Sequence, residues 1–111
     1  MELKHSAHKD CDLVKVTGRI DSATSGKLEE LLKQIQDGGR FDIILDMSDV
    51  EFMSSRGLWV LIEAKKAGKK NDRGEVVLAA VPEKIKDALD LVGLSTYFTT
   101  FDDVVGAVAS F

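Results

Sequence analysis

The chain has 111 residues, 44% apolar and 31% charged, which suits one globular domain over 1–111 and leaves little room for a second core. Its formal net charge is −4, with acidic residues spread along the chain, so a nucleic-acid partner, which needs a concentrated basic surface, is not expected. Cys11 is the lone cysteine, the N-terminus carries no apolar leader and no run reaches membrane-spanning length; a cytoplasmic protein without disulfides or membrane insertion is the expectation.

In chain order, residues 1–17 read as two short strands about a turn near Lys9-Asp10, the second with Val14 and Val16 on one face. Cys11, at the start of that second strand, reads as a small buried hydrophobe. Gly18-Arg19-Ile20-Asp21 leads into a helix whose Leu28, Leu31, Leu32 and Ile35 fall on one stripe. Ser22 and Thr24 are its candidate N-caps, and Asp37-Gly38-Gly39 its stop. Residues 41–46 read as a strand centred on Ile43-Ile44-Leu45, followed by a turn at Ser48-Asp49.

A second helix begins at about Ser55 and runs through Leu58, Leu61, Ile62 and Ala64 to a Gly68 cap. The basic run Lys65-Lys66-Ala67-Gly68-Lys69-Lys70 reads as cations offsetting the negative end of its dipole. Residues 75–81 hold an unbroken apolar run, the mark of a strand covered on both faces. Pro82 opens a third helix as its first residue, with Ile85, Ala88, Leu89 and Val92 inward and Gly93 as the stop. A short strand over 97–99 and a last helix from about Phe101, carrying Val104, Val105 and Val108, complete the chain. The order ββαβαβαβα predicts an α/β fold, a mixed and mostly parallel sheet packed by about four helices through right-handed crossovers.

The chemistry concentrates at Ser54-Ser55-Arg56-Gly57. A first helical turn presents unpaired N–H groups and the positive dipole end, which favour a phosphoryl group, and Arg56 adds a charged donor. Serine is equally a favoured helix cap, and spacing alone leaves both roles open. Trp59 lies at i+4 from Ser55 and i+3 from Arg56, so the three can share an exposed patch of a composition favoured at interface hot spots. The alternative places Trp59 against the core beside Leu58.

Other constellations lead nowhere. His5 and His8 would point to opposite faces of a strand and have no further ligand of matching spacing. No Gly-x-Ser-x-Gly elbow is present, and Gly38-Gly39 is not followed by the Lys-Ser/Thr of a phosphate loop. No catalytic group, metal or cofactor is expected, and the chain reads as a non-enzyme.

Three blocks carry a family likeness: Gly18-Arg19-Ile20-Asp21-Ser22-Ala23-Thr24, Ile43-Ile44-Leu45-Asp46-Met47-Ser48-Asp49-Val50 and Phe52-Met53-Ser54-Ser55-Arg56-Gly57-Leu58. In this order they resemble the signature of the STAS domain and, more narrowly, of the bacterial anti-sigma-factor antagonists. Leu91-Val92-Gly93-Leu94 resembles that family's segment after its third helix. The resemblance implies a STAS fold over nearly the whole chain and a role in transcription by partner switching. An unphosphorylated antagonist binds an anti-sigma factor that is also a serine kinase, phosphorylation at Ser55 releases it, and a serine phosphatase resets it. The family turn commonly reads Asp-Ser-x-Gly, so Ser54 stands where Asp is usual. The resemblance also implies that Asp21 lies near the acceptor, and with the patch that helical spacing indicates, the expected partner-binding surface is Asp21, Ser54, Arg56, Gly57 and Trp59. The alternative is a STAS scaffold without phosphorylation, an interaction subunit of a transporter or sensory complex.

Overall fold

The computed structural model describes residues 1–111, except the side chain of Asn71. Five strands form one sheet in sequence order: β1 (Glu2–Ala7), β2 (Asp12–Ile20), β3 (Ile43–Met53), β4 (Val76–Ala79) and β5 (Thr100–Phe101). β1 joins β2 antiparallel through a tight turn. Each later pairing is parallel and so requires a crossover. The crossovers are α1 (Ser25–Asp37), α2 (Ser55–Lys69) and α3 (Glu83–Leu91), and α4 (Val104–Ala109) follows the last strand. The predicted order and fold class are both met. No helix of the described residues is long and apolar enough to cross a membrane.

The sheet is covered unequally. On one face Val14, Val16, Ile43 and Leu45 pack with Leu28 and Leu32 of α1, Val60 and Leu61 of α2, and Ile85 and Leu89 of α3. On the other, Cys11, Ile44, Val77 and Ala79 meet Ala107 of α4. All of β4 is therefore buried, as its unbroken apolar run predicts. Burial pushes the Cys11 thiol up from its ordinary pKa, and the neighbouring Asp12 carboxylate adds to the rise.

Several boundaries differ from the sequence reading. Ser48-Asp49 is not a turn: β3 continues to Met53, and the ladder resumes as Thr17↔Asp49, Gly18↔Val50, Arg19↔Phe52 and Ile20↔Met53 after register shifts. Irregularities of this kind absorb extra residues without ending a strand, and Asp46 Oδ1 accepts from Ser48 N at 3.1 Å and Ser48 Oγ at 2.8 Å. Gly68 lies inside α2, not at its cap, because the chain folds back on it. A Cβ there would stand 2.8 Å from Gly74 O. Lys65, read as one of the cations that offset the dipole at the end of α2, is buried, with Nζ 3.7 Å from Glu75 Oε1 and 5.5 Å from the Tyr97 ring.

Pro82 caps α3 from outside in an extended conformation. Ala88 and Val92 do not join the inner stripe: α3 is short, only Ile85 and Leu89 of it are buried, and Val92 falls beyond its end. β5 begins three residues later than expected, at Thr100, because buried Phe98 belongs to the core beneath the preceding loop. On the single turn and a half of α4, Ala107 takes the inward place and Val105 faces outward.

Candidate functional site: the β3–α2 turn

β2 and β3 end side by side, and α2 starts from that edge. Ser54 N donates to Ile20 O at 2.8 Å, tying the exit of β3 to the end of β2. The extended backbone of Ser54 turns its hydroxyl onto the helix, where Oγ accepts from Gly57 N at 3.2 Å. Leu58 N donates to Ser54 O at 2.9 Å, closing the first turn. Ser54 is thus the N-cap, which removes the ambiguity between the two serines. Ser55 is the first helical residue and is exposed.

Leu58 N is the first intrahelical donor and Gly57 N goes to Ser54 Oγ, which leaves the first-turn amides of Ser55 and Arg56 facing outward from the helix end. No acidic residue stands in that turn to offset the dipole. The turn is therefore chemically suited to an anion borne by Ser55.

Gly57 has another place from the one expected. It is buried, and a Cβ on it would lie 2.6 Å from Ile20 Cγ2 and 3.0 Å from Ile20 O. It lets α2 seat on the end of β2 and lies beneath the surface instead of in it. Trp59 takes the outward alternative: it is 41% exposed, because Val60 and Leu61 hold the inward positions. The Arg56 guanidinium lies over its ring at 4.4 Å, a cation–π contact, and reaches Glu29 Oε1 of α1 at 3.8 Å.

Asp21 follows Ile20, so its turn adjoins that of Ser54. Its Oδ1 accepts from Ala23 N at 3.0 Å and Thr24 N at 3.1 Å, and lies 3.1 Å from Thr24 Oγ1. Partial burial alone would raise its pKa, but these bonds and nearby Arg19 outweigh it and hold the carboxyl below its usual range. The carboxylate thus rigidifies the β2–α1 turn. Ser22 is not the helix cap, and Thr24, at the cap position, gives its hydroxyl to Arg19 O at 2.7 Å and not to the helix.

Two neighbours escaped the sequence reading. Arg19 stacks on Phe52 at 4.3 Å, a pairing created by the shifted β2–β3 register. Glu29, which meets Arg56, carried only the signal of following the buried Leu28 on the flank of α1. Among the described residues no group of His, Cys, Asp or Glu is arranged to hold a metal ion. His5 Nε2 lies 2.5 Å from buried Asp12, which Arg40 also contacts. A groove of about 640 Å³ runs between α1 and α2, floored by Leu32, Phe41, Val60 and Ala64, with Glu29 on its rim.

The STAS-domain family profile matches residues 4–107. Over 94 residues the chain is 32% identical to an anti-sigma-B factor antagonist of Staphylococcus epidermidis, covering 85% of this chain and 86% of that protein. Its fold resembles that of an anti-sigma factor antagonist from Mycobacterium paratuberculosis, with TM-score 0.86 and 23% identity over 98% of this chain and 92% of that one. It also resembles SpoIIAA in the unphosphorylated form (TM-score 0.82, 13% identity, 98% of this chain and 95% of that one). For SpoIIAA of Bacillus in the phosphorylated form the values are TM-score 0.77 and 12% identity, over 98% of each chain. The structural likenesses establish the fold, and the profile with the staphylococcal relative establishes the family. The chain belongs to the STAS-domain family of anti-sigma-factor antagonists.

Proposed function

We propose that this protein antagonises an anti-sigma factor that is also a serine kinase, and that phosphorylation of Ser55 switches it off. The carrying observation is the division of labour in the β3–α2 turn. Ser54 caps the helix, and Ser55 stands exposed at its first position. In the phosphorylation step the γ-phosphoryl of ATP passes to Ser55 Oγ. The bond to ADP breaks, an Oγ–P bond forms, and the hydroxyl proton leaves to a base on the kinase. The antagonist supplies an acceptor and a docking surface, and the catalytic groups belong to its partner.

The added charge, about −1.5 to −2 near neutral pH, converts a surface matched to a hydroxyl into one that repels its partner. Helix-end amides accommodate that charge without disturbing α2. Ser54, standing where the family usually has Asp, still caps the helix and sets no carboxylate beside the incoming phosphate. Exposed Trp59 and Arg56 form the neighbouring contact surface, with the Asp21 turn at its edge. The named roles of the relatives support this reading, as does the existence of SpoIIAA in both phosphorylation states. A serine phosphatase would complete the cycle, and dependence on ATP and a sigma factor supports a cytoplasmic setting for it.

Mass spectrometry after incubation with the cognate kinase and ATP is expected to find phosphate on Ser55 and none on Ser54. Ser55→Ala should bind the kinase normally and take no phosphate, whereas Ser55→Asp should bind at least about tenfold more weakly. A chain left unmodified, yet still bound to its partner, would favour the scaffold reading.

A further inference from the structure

The Arg56 guanidinium rests between two weak holds. It lies 4.4 Å over the Trp59 ring, and its Nη2 is 3.8 Å from Glu29 Oε1, beyond hydrogen-bond length. Both contacts are open to solvent on the Arg56 side, where such pairs contribute little. Arg40 shows the contrast: its donors engage the Asp12 carboxylate, His8 O and Cys11 O. Arg56 is thus a loosely held, permanently charged fork.

Its position is specific. Arg56 follows Ser55 directly and Trp59 stands one helical turn from Ser55 on the same face of α2, so a side chain long enough to reach the Trp59 ring is long enough to reach a group on Ser55. A phosphoryl group on Ser55 Oγ would be doubly charged and would present three acceptor oxygens beside that fork. Guanidinium and phosphate match as a bidentate pair, a stronger hold than either contact Arg56 now makes.

We propose that Arg56 is the internal counter-ion of a phosphoryl group on Ser55, and that capture by the phosphate draws its guanidinium away from both Trp59 and Glu29. Phosphorylation then alters three side chains of the docking surface at once. The phosphate appears, the Trp59 ring loses its cationic cover, and Glu29 loses its cation. The partner meets a surface with a different pattern of charge as well as more of it. This inference rests on Ser55 being the phosphorylated residue, but its test needs no kinase.

Phosphoserine is incorporated at position 55 during translation, and its second ionisation, ordinarily near pH 6, is followed by phosphorus NMR. The wild-type chain should titrate lower than Arg56→Gln by about half a unit or more, roughly threefold in ionisation constant. Arg56→Lys should lie between them, since it keeps the charge without the fork. These differences should shrink in about 1 M salt. Trp59 is the only tryptophan, so its emission gives a second readout. Phosphate should change emission in the wild type and leave it nearly unchanged in Arg56→Gln. Equal phosphoserine ionisation in the two chains, or an equal response of Trp59 in both, overturns the proposal. A kinase that ignores Ser55 would overturn the switch and leave these titrations as they stand.

Discussion

Two residues show how the turn is held, and each can be tested alone. Gly57 occupies a helical position where alanine is intrinsically better by about 1 kcal/mol. Here a methyl group would collide with Ile20 Cγ2 at 2.6 Å and press on the Ile20 carbonyl at 3.0 Å. The carbonyl belongs to a paired strand and cannot yield, so overpacking of about 1–3 kcal/mol outweighs propensity. Gly57→Ala should destabilise the fold by up to a net ~2 kcal/mol, read as a lower urea midpoint, and weaken kinase binding by tilting the start of α2. An unchanged midpoint would mean that Ile20 moves freely.

Asp21 yields a prediction in pH. Its folded-state pKa is lowered, because hydrogen bonds from Thr24 and Ala23 with nearby Arg19 outweigh desolvation. A depressed carboxyl stabilises the fold above its unfolded value of about 3.9, and that contribution disappears as pH falls through the folded value. Wild type should therefore exceed Asp21→Asn in stability at neutral pH. The gap should persist to about pH 5 and close below about pH 4. Urea titrations at a series of pH values decide it, and a gap that does not change with pH would assign the role to shape, not charge.

At the scale of elements, what could be read from the sequence followed local signals. The α1 stripe of Leu28, Leu32 and Ile35 and the apolar run of β4 each state their burial in their own spacing. The errors came where a distant segment decides. Ser48-Asp49 has turn chemistry, yet β2 lies alongside and keeps those residues in a strand. Lys65 resembles its exposed neighbours Lys66 and Lys69, but Tyr97 and Phe98 close over it from a loop thirty residues on. Val92 falls past the end of short α3 and Val105 sits on the outer side of short α4, where no sheet covers them. In the site itself, the block Phe52-Met53-Ser54-Ser55-Arg56-Gly57 marked the turn, and helical spacing linked Arg56 to Trp59. The role of Gly57 depended on Ile20 and the hold on Arg56 depended on Glu29, both in other segments.

For the whole molecule, the two faces of the sheet differ in depth, and this should divide its stability. Three helices and most of the large apolar side chains lie on the face that carries Trp59's helix. The other depends on α4, six residues long, over a small cluster that includes Cys11. Detaching α4 exposes far less surface than unfolding the chain, so the thin face should open first. Cys11 reports that event: it is buried, its thiol is held above the ordinary pKa, and it becomes reactive only when opening restores the free thiol. Labelling by a thiol reagent at mildly alkaline pH should be slow in the native protein and should accelerate with urea. Since the urea slope follows exposed surface, it should be less than about half that of global unfolding followed by Trp59 emission. Equal slopes would show that the thin face opens only with the rest, making α4 as firmly coupled as the three helices opposite.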